Sequence, residues 1–257
     1  MPAQRLRIAL LIDADNASAD KVNAILADLA EYGECSIRRA YGNWTKPNLK
    51  SWIEQLHDAA IRPMQQFDLT AQKNASDMAL AIDAVELLHS AAPDAFAIVS
   101  SDSDFTPLVQ YLREKGCDVY GYGRARTPTP FQSACNRFTI VEQLVGAEEE
   151  ADDDTEEAVP SRTVRKTTSE LKADTKLVNL LRSAIRSAAD DEGWATVSQV
   201  GNVIRNQSSL DWRNYGYSKL STFLKAVGLF EIRNDGKSNM AVRIPRRVAA
   251  KRAPAKP

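Results

Sequence analysis

Residues 6–16 read LRIALLIDADN and residues 94–105 read DAFAIVSSDSDF. Each is an apolar run that stops at acids. An apolar run of this length without alternation is a strand buried on both faces, as in a parallel sheet. An acid directly after such a strand is held at the sheet rim by the stiff backbone before it. Asp13 follows the first run, and Asp102 and Asp104 follow the second.

Working outward, DKVNAILADLAEYG (20–33) sets Val22, Ile25, Leu26 and Leu29 on a helical stripe that Gly33 ends. ECSIRRAYG (34–42), CDVYGYG (117–123) and RFTIVEQL (137–144) read as strands. IRPMQQF (61–67) reads as an edge strand because Pro63 lacks a ladder donor. PNLKSWIEQLHDAA (47–60), SDMALAIDAVELLHS (76–90) and TPLVQYLREKG (106–116) read as helices, with a brief helix near Phe131. Strand–helix alternation predicts a mainly parallel α/β sheet with helices on both faces. Strand order 3-2-1-4-5 would set the ends of the first and fourth strands side by side, where ligands bind in such sheets.

The chain of 257 residues is 44% hydrophobic and has a net charge of −1, which hides an asymmetry. Residues 1–146 carry 14 basic and 18 acidic side chains, net −4; residues 147–172 carry 4 and 9, net −5; residues 173–257 carry 15 and 7, net +8. A basic C-terminal module is drawn to polyanions, whereas an acidic N-terminal one needs a cation before it can handle them. EEEADDDTEE (148–157) reads as a solvated spacer within a linker spanning 147–172. Residues 173–245 predict three helices, LVNLLRSAI, WATVSQVGNVIRNQ capped by Thr196 or Ser198, and YSKLSTFLKAVG capped by Ser218 and stopped by Gly228. A hairpin around Asn234-Asp235-Gly236 follows, which together make a winged helix-turn-helix. Residues 246–257 read as a basic disordered tail. No apolar run is long enough to span a membrane, and no signal peptide is expected. Three scattered cysteines indicate neither a zinc site nor a disulfide framework, so a soluble cytoplasmic protein is expected.

Asp77 opens the helix after the third strand, so Asp13, Asp77, Asp102 and Asp104 all point to one rim. Four ionised carboxylates in a small space raise one another's pKa unless a cation joins them. Oxygen donors without His or Cys favour Mg²⁺, or Mn²⁺, over zinc. The plainer explanation of Asp77 and Asp104 is helix capping. Asp15 reads as a turn or supporting residue. Asn16 would orient Asp13 or make a local turn. Asp83, six residues past Asp77, lies 240° around the helix and reads as structural or surface. Lys73 and Ser101 are candidate phosphate contacts, and His57 and His89 read as exposed helix residues. In the C-terminal region Arg205, Arg213, Lys219, Lys237 and Arg243 are candidate phosphate contacts. Trp212, Tyr215 and Tyr217 could stack on bases, although Tyr217 also reads as core-forming.

IALLIDADN, the Lys-x-x-x-Asp of KNASD (73–77) and VSSDSDFTPLVQYLREKGCDVYGYG (99–123) resemble the LabA-like branch of the NYN domains, relatives of PIN-domain nucleases. The resemblance covers about residues 6–145, and Ser-Asp-Ser-Asp-Phe is its most specific part. It implies a Mg²⁺-dependent ribonuclease whose metal is held by Asp13, Asp77, Asp102 and Asp104, with Asn16 accessory. Asn74-Ala75 stands where a glycine is common after the lysine. GWATVSQVGNVIR (193–205) and YGYSKLSTFLKAVGLFEI (215–232) resemble the OST-HTH/LOTUS domain, which implies RNA binding or docking of a protein partner. Two other functions compete. One is a non-catalytic RNA-binding adaptor. The other is a phosphohydrolase of the haloacid dehalogenase kind, with Asp13 as nucleophile and Asp15 as acid/base, whose further lysine and hydroxyl residues have no convincing place.

Overall fold

The computed structural model describes residues 5–67, 74–144, 165–237 and 239–245. Lys73, the acidic run 148–157 and the tail 246–257 lie outside the described residues.

The first unit is built on six parallel strands: β1 (Leu6–Asp13), β2 (Gly33–Gly42), β3 (Arg62–Gln65), β4 (Ala95–Val99), β5 (Asp118–Gly123) and β6 (Arg137–Ile140). Their order is β3-β2-β1-β4-β5-β6. The helices are α1 (Val22–Ala30), α2 (Trp52–Asp58), α3 (Ala75–Ser90), α4 (Thr106–Glu114) and α5 (Thr129–Ala134). The fold is a parallel α/β sheet with flanking helices, as the alternation predicts, and it agrees with the PIN-like fold that the resemblance implies. Pro63 does lie in the edge strand β3. The helix expected from Pro47 begins later: Pro47–Leu49 make a 3-10 turn, and α2 starts at Trp52.

Side chains alternate across a strand, so β1 serves two cores. Ile8, Leu10 and Ile12 pack on the α1 side with Val22, Ile25 and Trp52. Ala9 and Leu11 pack on the other side with Leu80, Leu87 and Val109 of α3 and α4. Asp13 shares the parity of Leu11, and Ser100 shares that of Phe96 and Ile98. Both therefore emerge on the α3/α4 face, where β1 and β4 are neighbours. Gly123 makes room there, because a Cβ on it would stand 2.7 Å from the Ser100 carbonyl oxygen.

Residues 208–216 belong to the first unit although their sequence neighbours on both sides belong to the second. The second unit contains α6 (Thr168–Ala173), α7 (Thr175–Ala188), β7 (Trp194–Thr196), α8 (Val197–Gln207), α9 (Leu220–Val227), β8 (Glu231–Arg233) and β9 (Ala241–Arg243). Its sheet runs β7-β9-β8 with antiparallel pairs. Three details differ from the sequence reading. Residues 168–172, expected as linker, fall in the helix Thr168–Ala173 because Thr167 and Glu170 form a reciprocal capping box. Trp194–Thr196 is a strand rather than the start of α8, because it pairs with β9. Thr196 then caps α8, exchanging bonds with Gln199 at 3.0 and 3.3 Å. Ser218 does not cap α9; Lys219 occupies that place with no side-chain cap bond. Gly228 stops α9 with φ 60°.

Candidate active site

Asp13 ends β1 with 1% of its surface exposed. Its carboxylate accepts from the Asn16 side-chain amide at 2.8 Å, the Ser100 hydroxyl at 2.8 Å and the Asn16 backbone N–H at 3.3 Å. These bonds fill three of about four acceptor sites. Burial raises the Asp13 carboxyl above its ordinary range, while the Asn16 and Ser100 bonds pull it back down. Asn16 therefore orients Asp13. Ser100, which the sequence reading passed over, joins two strand ends: its hydroxyl donates to Asp13 and accepts from the Asp102 N–H at 3.1 Å.

The Asp102 side chain accepts from the Asp104 N–H at 2.9 Å and caps the 3-10 turn Ser103–Phe105. Capping thus falls to Asp102, not to Asp104. Asp77 lies in the first turn of α3, whose cap residue is Asn74 and makes no side-chain cap bond. Half-buried, Asp77 has its carboxyl pushed up to about 6, first by burial and then by the negative fields of Asp13, Asp102, Asp15 and Asp104. The five aspartates therefore act on one spot, without an arginine among the causes.

Asp15 leans the other way. It accepts from Ser76 at 3.0 Å and pairs with Lys46 at 3.3 Å. Beside Lys46, the ends of β2 and β3 are stitched by Gln65, which donates to Asn43 at 3.1 Å and accepts from the Trp44 N–H at 3.1 Å. Loop positions and strand ends of this kind carry no periodicity, so Lys46, Asn43 and the strand-terminal Gln65 left no signal in the sequence. Asp83 is structural: it is 8% exposed and bound by Arg39 and Tyr41. His57 and His89 are exposed.

The other candidates scatter. The Ser101 hydroxyl accepts from the Arg124 N–H at 2.9 Å, tying the loops after β4 and β5. Arg213 is not a surface cation. It is bonded to Asp28, and it meets Asp211 at 3.2 Å and the Tyr32 hydroxyl at 3.2 Å. Burial lowers its pKa to about 10. Trp212 lies against the Arg137 guanidinium at 5.2 Å. Tyr217 donates to the Lys166 carbonyl at 2.7 Å and packs on Phe223 at 5.4 Å, its core-forming role. Arg243 pairs with Glu231 and lies over Trp194 at 4.5 Å. Arg205, Lys219 and Lys237 are exposed on the second unit.

The all-oxygen donor set fits a hard divalent cation rather than zinc. Among the described residues, no three His, Cys, Asp or Glu side chains already stand at metal-cage spacing. Mg²⁺ does not require such a cage, since it keeps several waters and takes one or two carboxylates. No described helix is long and apolar enough to cross a membrane.

The NYN domain model matches residues 7–142, and the OST-HTH/LOTUS domain model matches residues 171–242. An uncharacterized protein of Methanocaldococcus jannaschii is 32% identical over 121 residues, 46% of this chain and 47% of the relative, so the match spans about half of each. A crystal structure of a Vibrio parahaemolyticus protein of unknown function aligns with 55% of this chain and 95% of its own, at 18% identity and a TM-score of 0.47. The solution structure of an uncharacterized Nitrosomonas europaea protein aligns with 40% of this chain and 99% of its own, at 24% identity and a TM-score of 0.27.

Proposed function

Since the chain belongs to the NYN-domain family and also carries an OST-HTH/LOTUS domain, we propose that it is a metal-dependent ribonuclease. Phosphodiester hydrolysis takes place at the acidic rim, and the basic C-terminal domain recruits RNA. The observation that carries this reading is the joining of the β1 and β4 ends through Ser100, which donates to Asp13 and accepts from the Asp102 N–H, with Asp77 in the first turn of α3 and its carboxyl raised by burial and by four other aspartates. Such charge is costly to keep unless the site handles a cation.

Asp13, Asp77, Asp102 and Asp104 would hold Mg²⁺, or Mn²⁺, which when bound supplies charge neutralisation for the phosphodiester and an acidified water. The chain's own residues do the positioning. Asn16 and Ser100 fix the Asp13 carboxylate, leaving one acceptor site open towards the rim. Ser100 also sets the Asp102 backbone, so the ends of β1 and β4 keep a fixed spacing. Asp104 stands exposed, at the mouth through which RNA enters. Lys46, anchored by Asp15, meets a phosphate beside the cleaved bond. Arg205, Lys219 and Lys237 supply phosphate contacts on the second unit.

Asp15, which the phosphohydrolase reading needs as acid/base, instead accepts from Ser76 and pairs with Lys46, which disfavours that reading. One observation favours a second reading, an RNA-binding adaptor without turnover: no described three-carboxylate group stands at cage spacing. Incubation of the full chain with single-stranded and structured RNA in Mg²⁺, Mn²⁺ or EDTA separates the two. Cleavage that needs metal and stops in Asp102→Asn supports the nuclease. RNA binding without cleavage in any metal supports the adaptor and overturns the nuclease.

A further inference from the structure

β6 is the last strand of its sheet, so its outer backbone groups need partners or invite strand addition. Residues 208–216 supply them. The Phe138 N–H donates to the Ser209 carbonyl at 3.2 Å, and the Ile140 N–H donates to the Asn214 side-chain oxygen at 2.7 Å. The Asn214 amide returns a bond to the Phe138 carbonyl at 2.8 Å. One asparagine thus imitates a strand residue, offering both an acceptor and a donor to the same edge.

Charge is matched crosswise beside that edge. Arg137 is buried, and Asp211, 0% exposed, takes its guanidinium in two bonds of 3.0 and 2.8 Å. Asp211 also accepts from the Thr139 hydroxyl at 2.7 Å. Asp28, 5% exposed, accepts from the Tyr122 hydroxyl at 2.7 Å and from Arg213. The segment therefore brings one carboxylate to a buried arginine and one guanidinium to a buried aspartate. Tyr32 and Trp212 lie on the Arg137 guanidinium at 5.0 and 5.2 Å. A buried arginine or aspartate left alone is strongly destabilising, whereas a fully bonded pair is tolerated.

We propose that the outer edge of β6, with Arg137 and Asp28 beside it, is a docking surface whose occupant is residues 208–216 of this chain, and that the NYN fold here is incomplete without them. The NYN match ends at residue 142, and the docked segment falls inside the span matched by OST-HTH/LOTUS, 171–242. A stretch of the second family domain thus does structural work in the first. The segment's Arg213 and Trp212, which resemble nucleic-acid contacts in sequence, are consumed by this docking. An emptied edge would instead pair with the same edge of a second copy.

The test uses the full chain and amide hydrogen exchange. Asn214→Ala is expected to speed exchange at Ile140 by about tenfold or more, while Ile98 and Ile12 in the central strands stay unchanged. Asp211→Asn is expected to lower the Tm by about 6 °C or more, and Arg137→Met combined with Asp211→Leu to recover at least half of that loss. Concentration-dependent association of Asn214→Ala would add support for an exposed edge. Should Asp211→Asn fail to fold, Asn214→Ala still decides. The proposal is overturned if Ile140 exchanges as fast in the unaltered chain as in Asn214→Ala, or if Asp211→Asn leaves the Tm unchanged.

Discussion

Two clusters of charge lie in the same unit, and they are built on opposite plans. At the β6 edge, Arg137, Arg213, Asp211 and Asp28 satisfy one another, and their oxygens and guanidiniums are almost all bonded within the protein. At the ends of β1 and β4, the aspartates crowd together with no arginine among the causes, and burial first, then their negative fields, raise Asp77 to about 6. Charge that a fold needs for its own packing is neutralised from within. Charge of one sign gathered at a strand-end rim is what the proposed cation would offset.

The difference is sharpest where single carboxylates are neutralised. Asp102→Asn is expected to reduce RNA cleavage by roughly 10²–10³-fold, the scale of losing one preorganised electrostatic group, with the fold intact by circular dichroism. Full activity in that variant would break the comparison from the functional side. In the other region, Asp28→Ala removes a buried acceptor from Arg213 and from the Tyr122 hydroxyl, while Arg213 keeps Asp211, so chemical denaturation should show a loss of about 1–3 kcal/mol. A loss below about 1 kcal/mol would mean the β6 network is dispensable.

Acid should relieve the crowding at the rim. Asp77 holds its proton up to about 6 in the folded chain against an ordinary value of 3.8. The folded state therefore binds more protons than the unfolded chain between those values. The cost of ionised Asp77 is fully present above the folded value and is relieved as pH falls through it. Metal-free protein should gain stability from this group on going from about pH 7 to pH 5, and Asp77→Asn should remove that gain. Added Mg²⁺ should raise the Tm more at the higher pH, because protons compete for the same oxygens. The smallest expected effect is at Lys46: Lys46→Ala should lower the slope of log affinity against log salt by about one without changing sequence preference.

The two regions also differ in how far the sequence discloses them. Buried parallel strands carry an unbroken apolar signal, so LRIALLID and AFAIV mark their own ends, and the acids after them stand out. The supposed order 3-2-1-4-5 holds, and it sets the ends of β1 and β4, with Asp13 and Asp102, side by side. Ser100 could have been found from its parity with Phe96 and Ile98, although the acids around it drew attention away. Lys46, Asn43 and Gln65 could not, because loops that meet across a sheet leave no period. The β6 network is invisible for a stronger reason. Asp28 and Arg213 are separated by 185 positions and Arg137 and Asp211 by 74, and no local pattern encodes such pairings. Read alone, DWRNY displays a cation and aromatics as a nucleic-acid surface would, and only the fold reveals that Arg213 pairs with Asp28 and that Trp212 lies on Arg137.

The central claim is that the rim, rather than some other acidic stretch, holds a divalent cation. Titration of Mn²⁺ into the full-length, isotope-labelled chain tests this directly through paramagnetic broadening of backbone amides. The account predicts broadening centred on residues 13–16, 77 and 100–104, removed by Asp102→Asn and by competing Mg²⁺. Broadening centred on residues 148–157, with the strand ends untouched, would contradict it.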